Sequence, residues 1–384
     1  MRRSLSAITC TLLVAMLTAC SGDNPSPTVV GLSCHGDFGA PVTLVVGSRA
    51  NSEKPSVPDD LWVLVRNAAI AHNVVNVVRV DGDPTVVLSA KFDTNAKNAL
   101  AQARDLDYFL SAMKRAIAEI RPKAPEADLL RALDLAAQKT PAGGTIAVID
   151  SGLQTAGSIR FQDSGMFSAD PREIADYLNK NGLIPDMENR SLLFIGLGLT
   201  AKPQPDLDQA ARNKVIDIWE FIGEAGRAAC VDSINGSAVG VSVDGVLPVS
   251  VVTPPATATF EPCGVTVLDE SGRVGFLPDK AQFRDPAAAS MTLKTLAEIV
   301  KKGRQRIILT GTTASVGDGT QLSKARALAV ADELVSLGVP AESLTTVGAG
   351  SKSRFYVNDR NDNGDLIPAA AARNRSVVVE LVCE

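Results

Sequence analysis

Histidine is nearly absent. The 384 residues hold two, His35 and His72, far apart and in unlike surroundings, which argues against a zinc site. His35, inside Cys34-His35-Gly36, reads as a turn residue. Aromatic residues make up 4% of the chain, and the two tryptophans, Trp62 and Trp219, fall on helical patterns and read as core. A basic excess is also missing: 38 Lys and Arg stand against 43 Asp and Glu, a formal charge of −5, so nucleic acid is not an expected partner. There is no G-x-x-x-x-G-K-[ST] loop and no G-x-G-x-x-G between a strand and a helix, which removes the phosphate-cradling turns of nucleotide enzymes. Beyond the first twenty residues no apolar run is long enough to span a bilayer. What remains, 45% hydrophobic and 21% charged residues, is the composition of ordinary folded domains.

The chain starts with a short basic segment, Met1-Arg2-Arg3, followed by an apolar stretch from Ala7 to Leu17 that is too short for a mature spanning helix. It ends in Leu17-Thr18-Ala19-Cys20, which resembles a bacterial lipoprotein box. The resemblance implies a diacylglycerol on the Cys20 thiol, with palmitate-type acyl chains, and removal of residues 1–19 as a signal peptide. An ordinary signal peptide with Cys20 as a spare cysteine is the competing reading. Residues 20–33 would be a polar, Pro-containing tether, and two or more acyl chains would anchor it stably. The expected location is the cell membrane or outer membrane, facing periplasm or cell wall.

Export permits disulfides. With Cys10 lost and Cys20 lipidated, Cys34, Cys230, Cys263 and Cys383 remain and allow three pairings. Cys263 opens the C-terminal domain and Cys383 closes its last strand, so domain logic pairs these two and leaves Cys34 with Cys230 around the middle domain.

Strand-like and helix-like patterns alternate across residues 34–252. Strands are predicted at Pro41 to Gly47, Gly144 to Ile149 and Ser191 to Leu197, and a hairpin at Val74 to Val80 and Pro84 to Phe92 around Asp81-Gly82-Asp83. Helices are predicted at Asp59 to Ala71, through Asn95 to Gln138 with breaks at Pro122 and Pro125, after the Asp170-Pro171 cap, and at Leu207 to Ala225. This alternation implies a doubly wound α/β domain with a mostly parallel sheet. In order and size it resembles von Willebrand factor A-like or Rossmann-like domains. The first of these families often binds a metal through D-x-S-x-S after its first strand, but the matching place here reads Gly47-Ser48-Arg49-Ala50-Asn51-Ser52, without the leading Asp. Asp150 follows the later strand, and one carboxylate alone is a poor Mg²⁺ site, so neither metal nor other cofactor is expected. Ser48, Asn51, Ser52, Asp150 and Ser151 would share the carboxyl edge of the sheet as a binding site or as solvated loop residues.

The segment Ile146 to Leu153 also resembles the strand and aspartate of subtilisin-like proteases. Those enzymes need a His after the Asp and then a Gly-Thr-Ser turn. Both histidines precede Asp150 and no such turn follows, so the chain is not read as an enzyme.

A stiff linker, residues 253–258 with Pro254 and Pro255, leads to residues 259–384. Strands are predicted at Val265 to Leu268 and Val274 to Leu277 around Glu270-Ser-Gly272, a helix after Asp285-Pro286, and a strand at Arg306 to Thr310. The next helix carries Ala327, Val330, Leu334 and Leu337 on one face and Gly338 as C-cap. A Gly-rich turn, a long polar loop and a strand to Leu381 complete a β-α-β-α-β order.

Leu322-Ser-Lys-Ala-Arg326-Ala327, the G-x-G at Gly348 and Gly350, and Asn374-Arg375 resemble the OmpA-like peptidoglycan-binding domain. In that family an Asp closing a G-H-T-D turn and the Arg of L-S-x-x-R grip the amine and carboxylate of diaminopimelate. Here the turn reads Gly311-Thr312-Thr313-Ala314, so Ala314 stands in the acid's place, and Ser376 stands for the second Arg of N-R-R. The resemblance implies that Arg326 takes the diaminopimelate carboxylate, with Thr313, Asn374 and Arg375 lining the pocket and Asp318 a candidate for the missing charge. The competing reading makes Arg326 a solvated helix residue and pairs Arg375 locally. Asn358 to Leu366 resembles the front half of an EF-hand loop, but the twelfth position from Asp359 is Ala370, so a polar turn is expected.

The expected protein is a membrane-anchored envelope lipoprotein that binds peptidoglycan and tethers membrane to wall. The alternative is an envelope protein-interaction scaffold whose OmpA-like domain has lost diaminopimelate binding.

Overall fold

The computed structural model describes residues 32–236, 241–254, 256, 258–269, 273–303 and 305–383. The signal segment, Cys20, most of the tether, part of the linker and the Glu270 to Gly272 turn lie outside the described residues.

The first sheet has six strands: β1 (Val42–Gly47), β2 (Val74–Val80), β3 (Thr85–Lys91), β4 (Thr145–Ile149), β5 (Ser191–Ile195) and β6 (Cys230–Ile234), in the spatial order β3-β2-β1-β4-β5-β6. All neighbours run parallel except the edge strand β3, which returns antiparallel to β2. The Val/Ile/Leu runs of β1, β4 and β5 are buried at every position because helices cover both faces of the sheet. Helices α1 (Asp59–Ile70) and α2 (Ala99–Ala118) pack on one face with Leu44, Val77 and Leu193. On the other, α3 (Leu129–Lys139), α4 (Pro171–Lys180) and α5 (Gln209–Ala225) meet Val45, Val148 and Phe194. The last four helices start where an Asx side chain accepts a backbone N–H: Asn98, Asp128, Asp170 and Asp208. Trp219 is fully buried and donates its Nε1–H to the Gly152 carbonyl at 2.9 Å. Sequence patterning missed β6, a half-buried edge strand reading C-V-D-S-I.

The second sheet holds β7 (Val265–Leu268), β8 (Arg306–Thr312), β9 (Leu344–Gly350) and β10 (Val377–Val382) in the order β7-β10-β8-β9. Helices α6 (Pro286–Gly303) and α7 (Thr320–Ser336) cover its inner face with Leu293, Leu296, Val330 and Leu334. Gly338 ends α7 at φ 87°, with Gly338 N–H bonded to Val335 O at 2.9 Å and Val339 N–H to Leu334 O at 3.0 Å, a Schellman closure.

Three expectations need correction here. The Val274 to Leu277 stretch is not a strand; Phe276 makes a single bridge to Phe283, and Val274 and Phe276 serve the core instead. The Gly-rich segment expected as a turn is β9, paired in parallel with β8, where its small residues let α7 approach closely. The polar loop contains a helix, α8 (Pro368–Asn374).

That helix joins the two halves of the molecule. Ala369 and Ala372 of α8 belong to the apolar core that α3, α4 and α5 build. The approach depends on Gly165, at φ 93°, where a Cβ would come to 2.2 Å from the Ala369 carbonyl oxygen. Lys180 of α4 forms an ion pair with Asp365, and Asn361 donates to Asn181 at 3.4 Å. Two disulfides, Cys34–Cys230 and Cys263–Cys383, span 196 and 120 residues and follow the pairing by domain logic.

Candidate functional site

A cleft of about 300 Å³ opens at this junction. The OmpA-resembling half contributes Thr313 and Ala314 just after β8, Gly319 before α7 and Leu322 and Arg326 in its first turns, the Pro278 to Arg284 segment, Leu366 and Arg375. The N-terminal turn of α4 contributes Asp170 and Glu173.

Arg326 is 2% exposed, which removes the reading of it as a solvated helix residue. Its Nε–H donates to the Lys280 carbonyl at 3.0 Å, and its guanidinium lies 5.3 Å from the centre of the Phe276 ring. A carbonyl and an aromatic face therefore hold a full positive charge at the cleft wall. Thr313 stands beside it, and its buried Oγ1 has no hydrogen-bond partner among the described residues. A buried hydroxyl without a partner is costly, and a ligand atom would satisfy it. Ala314 presents a methyl group to the same space.

Arg375 also lines the cleft, but its guanidinium forks onto Glu173 of α4, Nη1 to Oε2 and Nη2 to Oε1, both at 2.8 Å. The pairing is bidentate and crosses between the two halves, so it is not the local pairing that sequence suggests. Asn374 is not part of the pocket lining. It is 2% exposed, and its amide donates to Val357 O at 2.8 Å and to Asp359 Oδ2 at 3.0 Å while accepting from Val357 N–H at 3.0 Å. Asp318 does not line the cleft either; it is exposed and accepts from Thr320 N–H at 3.1 Å at the start of α7. The hydrogen bonds from Thr320 hold its carboxyl below the usual range.

Asp359 opens the polar turn expected from the sequence, and its role is structural. Its fully buried carboxylate accepts from Ser315 N–H (2.9 Å), Ser315 Oγ (2.5 Å), Tyr356 OH (2.6 Å) and Asn374, and so fixes the loop after Ala314. Burial pushes this carboxyl up, and the bonds from Ser315, Tyr356 and Asn374 together outweigh that and hold it below its ordinary value. The aspartate thus ties together Ser315, Tyr356 and Asn374 of its own domain. Among the described residues no group of three or more His, Cys, Asp and Glu is arranged to hold a metal ion.

The carboxyl edge of the first sheet is closed. Arg49 and Asp150 form a buried ion pair there, with Arg49 Nη2 to Asp150 Oδ1 at 2.9 Å and to Ser151 Oγ at 3.3 Å, and Gly152 N–H also bonds Asp150 Oδ1 at 2.7 Å. Ser48 bonds Ile120 O, Asn51 bonds the carbonyls of Val249 and Ser250, and Ser52 bonds Glu53 O. The remaining space, about 30 Å³, holds little more than ordered water. These residues do not fit a divalent metal, because a guanidinium already neutralises the single carboxylate. All five of the residues expected at this edge are buried rather than solvated.

Residues 275–365 match the OmpA family, so the C-terminal domain is OmpA-like. The chain is similar to solved structures over about a third of its length. A MotB-like protein from Desulfovibrio vulgaris is 25% identical, over 33% of this chain and 80% of that one, with a TM-score of 0.27. The OmpA-like domain of FopA1 from Francisella tularensis is 21% identical over 33% and 80%, TM-score 0.23. The cell wall anchor of the T6SS from Pseudomonas aeruginosa is 22% identical over 31% and 81%, TM-score 0.26. No curated protein matches the chain.

Proposed function

We propose that this protein is a cell-envelope lipoprotein that binds peptidoglycan without a covalent bond through its C-terminal OmpA-like domain. In this reading Arg326 receives the carboxylate of a diaminopimelate side chain in the wall peptide, and the Thr313 hydroxyl bonds to the same group. The observation that carries the reading is Arg326 itself: a buried guanidinium, positioned by the Lys280 carbonyl and the Phe276 ring, on the wall of an open cleft inside the OmpA-like stretch. A buried charge of this kind is retained at a cost in desolvation, which a function at the cleft would explain.

Lipid on Cys20 would place the opposite end of the chain in a membrane, making the protein a tether between membrane and wall. The domain limits 34–252 and 259–384 fit this reading, with the first a recognition or scaffolding module. Its strand order, with one antiparallel edge strand, supports a von Willebrand factor A-like fold in which Arg49 takes the place of a metal. We assign no catalytic step, since Asp150, the strongest candidate acid, is spent on Arg49.

The methyl group of Ala314 favours a second reading, in which diaminopimelate binding has been lost and the domain docks envelope proteins. Co-sedimentation separates the two. The mature chain is mixed with purified diaminopimelate-containing peptidoglycan and centrifuged, with and without excess free meso-diaminopimelate. Pelleting that the free amino acid releases supports wall binding; a chain that stays in the supernatant supports the scaffold.

A further inference from the structure

The position just after β8 from which an acid would receive an ammonium group is alanine, Ala314, in this chain. Yet the cleft is not short of negative charge. Three carboxylates, Asp170, Glu173 and Asp279, line it together with three guanidinium groups, Arg284, Arg326 and Arg375. Two of the carboxylates come from the N-cap and first turn of α4, in the other domain, just over a hundred residues before the OmpA-like stretch begins.

We infer that the α/β domain completes the ligand site, so that the cleft is a two-domain receptor for an amino-acid zwitterion in which Asp170, next to the Glu173–Arg375 pair that joins the domains, replaces the missing acid. This rests on the wall-binding reading and extends it. Groups of both signs on one cleft wall suit a ligand that carries an ammonium and a carboxylate. A second, independent feature points to a ligand at the same place: the Thr313 hydroxyl, in a residue 6% exposed, has no partner on the cleft wall. The placement of the acids is also built rather than incidental. Glu173 is held by both nitrogens of Arg375, Asp170 is fixed by Arg172 N–H at 2.8 Å, and α8 locks the domains together around Gly165. A charge supplied from another domain works only if the domains keep one relative position, which the Ala369 and Ala372 contacts secure.

The test is calorimetric titration of the full mature chain with meso-diaminopimelate, alongside Asp170→Asn, Glu173→Gln and Arg326→Ala. Asparagine caps a helix as well as aspartate does, so Asp170→Asn leaves α4 intact while removing the charge. The expected result is binding by the wild type and a loss of roughly ten- to a hundredfold in Asp170→Asn, the loss of one charge-assisted hydrogen bond. Introducing Ala314→Asp into Asp170→Asn should restore part of the affinity. Wild-type affinity in Asp170→Asn, with Arg326→Ala inactive, overturns the two-domain site and leaves wall binding standing. Tighter binding by Glu173→Gln also overturns it, because Glu173 would then be a plug that competes for Arg375. If the wild type does not bind, both readings fall.

Discussion

Arg49 and Asp150 face each other at the carboxyl edge of the first sheet, both fully buried, each the other's only counter-charge in the contacts described. Breaking such a pair from one side leaves an unpaired charge in the interior. Arg49→Met should therefore lower the stability of the α/β domain by about 3–5 kcal/mol, measured by urea denaturation. The double variant Arg49→Met/Asp150→Leu should recover most of that loss, and a single variant as stable as the wild type would contradict the account.

The disulfides close loops of 196 and 120 residues, so each constrains a large part of the unfolded ensemble. Replacing Cys263 and Cys383 together by serine should cost about 3–5 kcal/mol. The check is the denaturation midpoint of that variant against the wild type under oxidising conditions, where a shift near zero would count against it.

Asp359 makes the C-terminal domain sensitive to acid. Its carboxyl lies below its ordinary value in the folded state because Ser315, Tyr356 and Asn374 bond the ionised form. Its contribution is therefore present in full above about pH 4, the unfolded value, and is lost as the pH falls through the lower native value. Asp359→Asn should be less stable than the wild type at pH 7, and the gap should narrow below about pH 4. A gap that stays constant from pH 7 to pH 3 would remove this role.

Most regular elements were legible from the sequence because their signals are local. Asp170-Pro171 and Asp285-Pro286 mark helix starts, and the valine runs of β1 and β10 mark strands. The segments that escaped have local signals pointing elsewhere. In β9, L-T-T-V-G-A-G looks like a turn, but pairing with β8 and contact with α7 need small residues there. In β6, Asp232 and Ser233 dilute the apolar pattern of an edge strand. At the cleft, the L-S-x-x-R-A motif singled out Arg326, whereas nothing near Arg375 in sequence announces Glu173, about two hundred residues earlier. Asn374 reads as a ligand residue through the Asn374-Arg375 motif of the OmpA-like resemblance, but successive residues leaving a short helix point in different directions, and its amide faces Val357.

Gly165 allows α8 to dock on the α/β domain. Gly165→Val would place a branched side chain at φ 93° against the Ala369 carbonyl, strained in the left-handed region by about 1–2 kcal/mol before any clash is counted. The two domains should then separate, giving a larger radius of gyration by small-angle scattering and two unfolding transitions. An unchanged radius and a single transition would show that α8 does not couple them.

Arg326 carries the central claim, and its substitution tests it most directly. A soluble diaminopimelate-containing wall fragment is titrated into the mature chain, Arg326→Lys and Arg326→Ala, each first shown to be folded by circular dichroism. The account predicts saturable binding by the wild type, weaker binding by Arg326→Lys, which keeps the charge without the planar fork, and none by Arg326→Ala. A folded Arg326→Ala that binds the fragment as tightly as the wild type would contradict it.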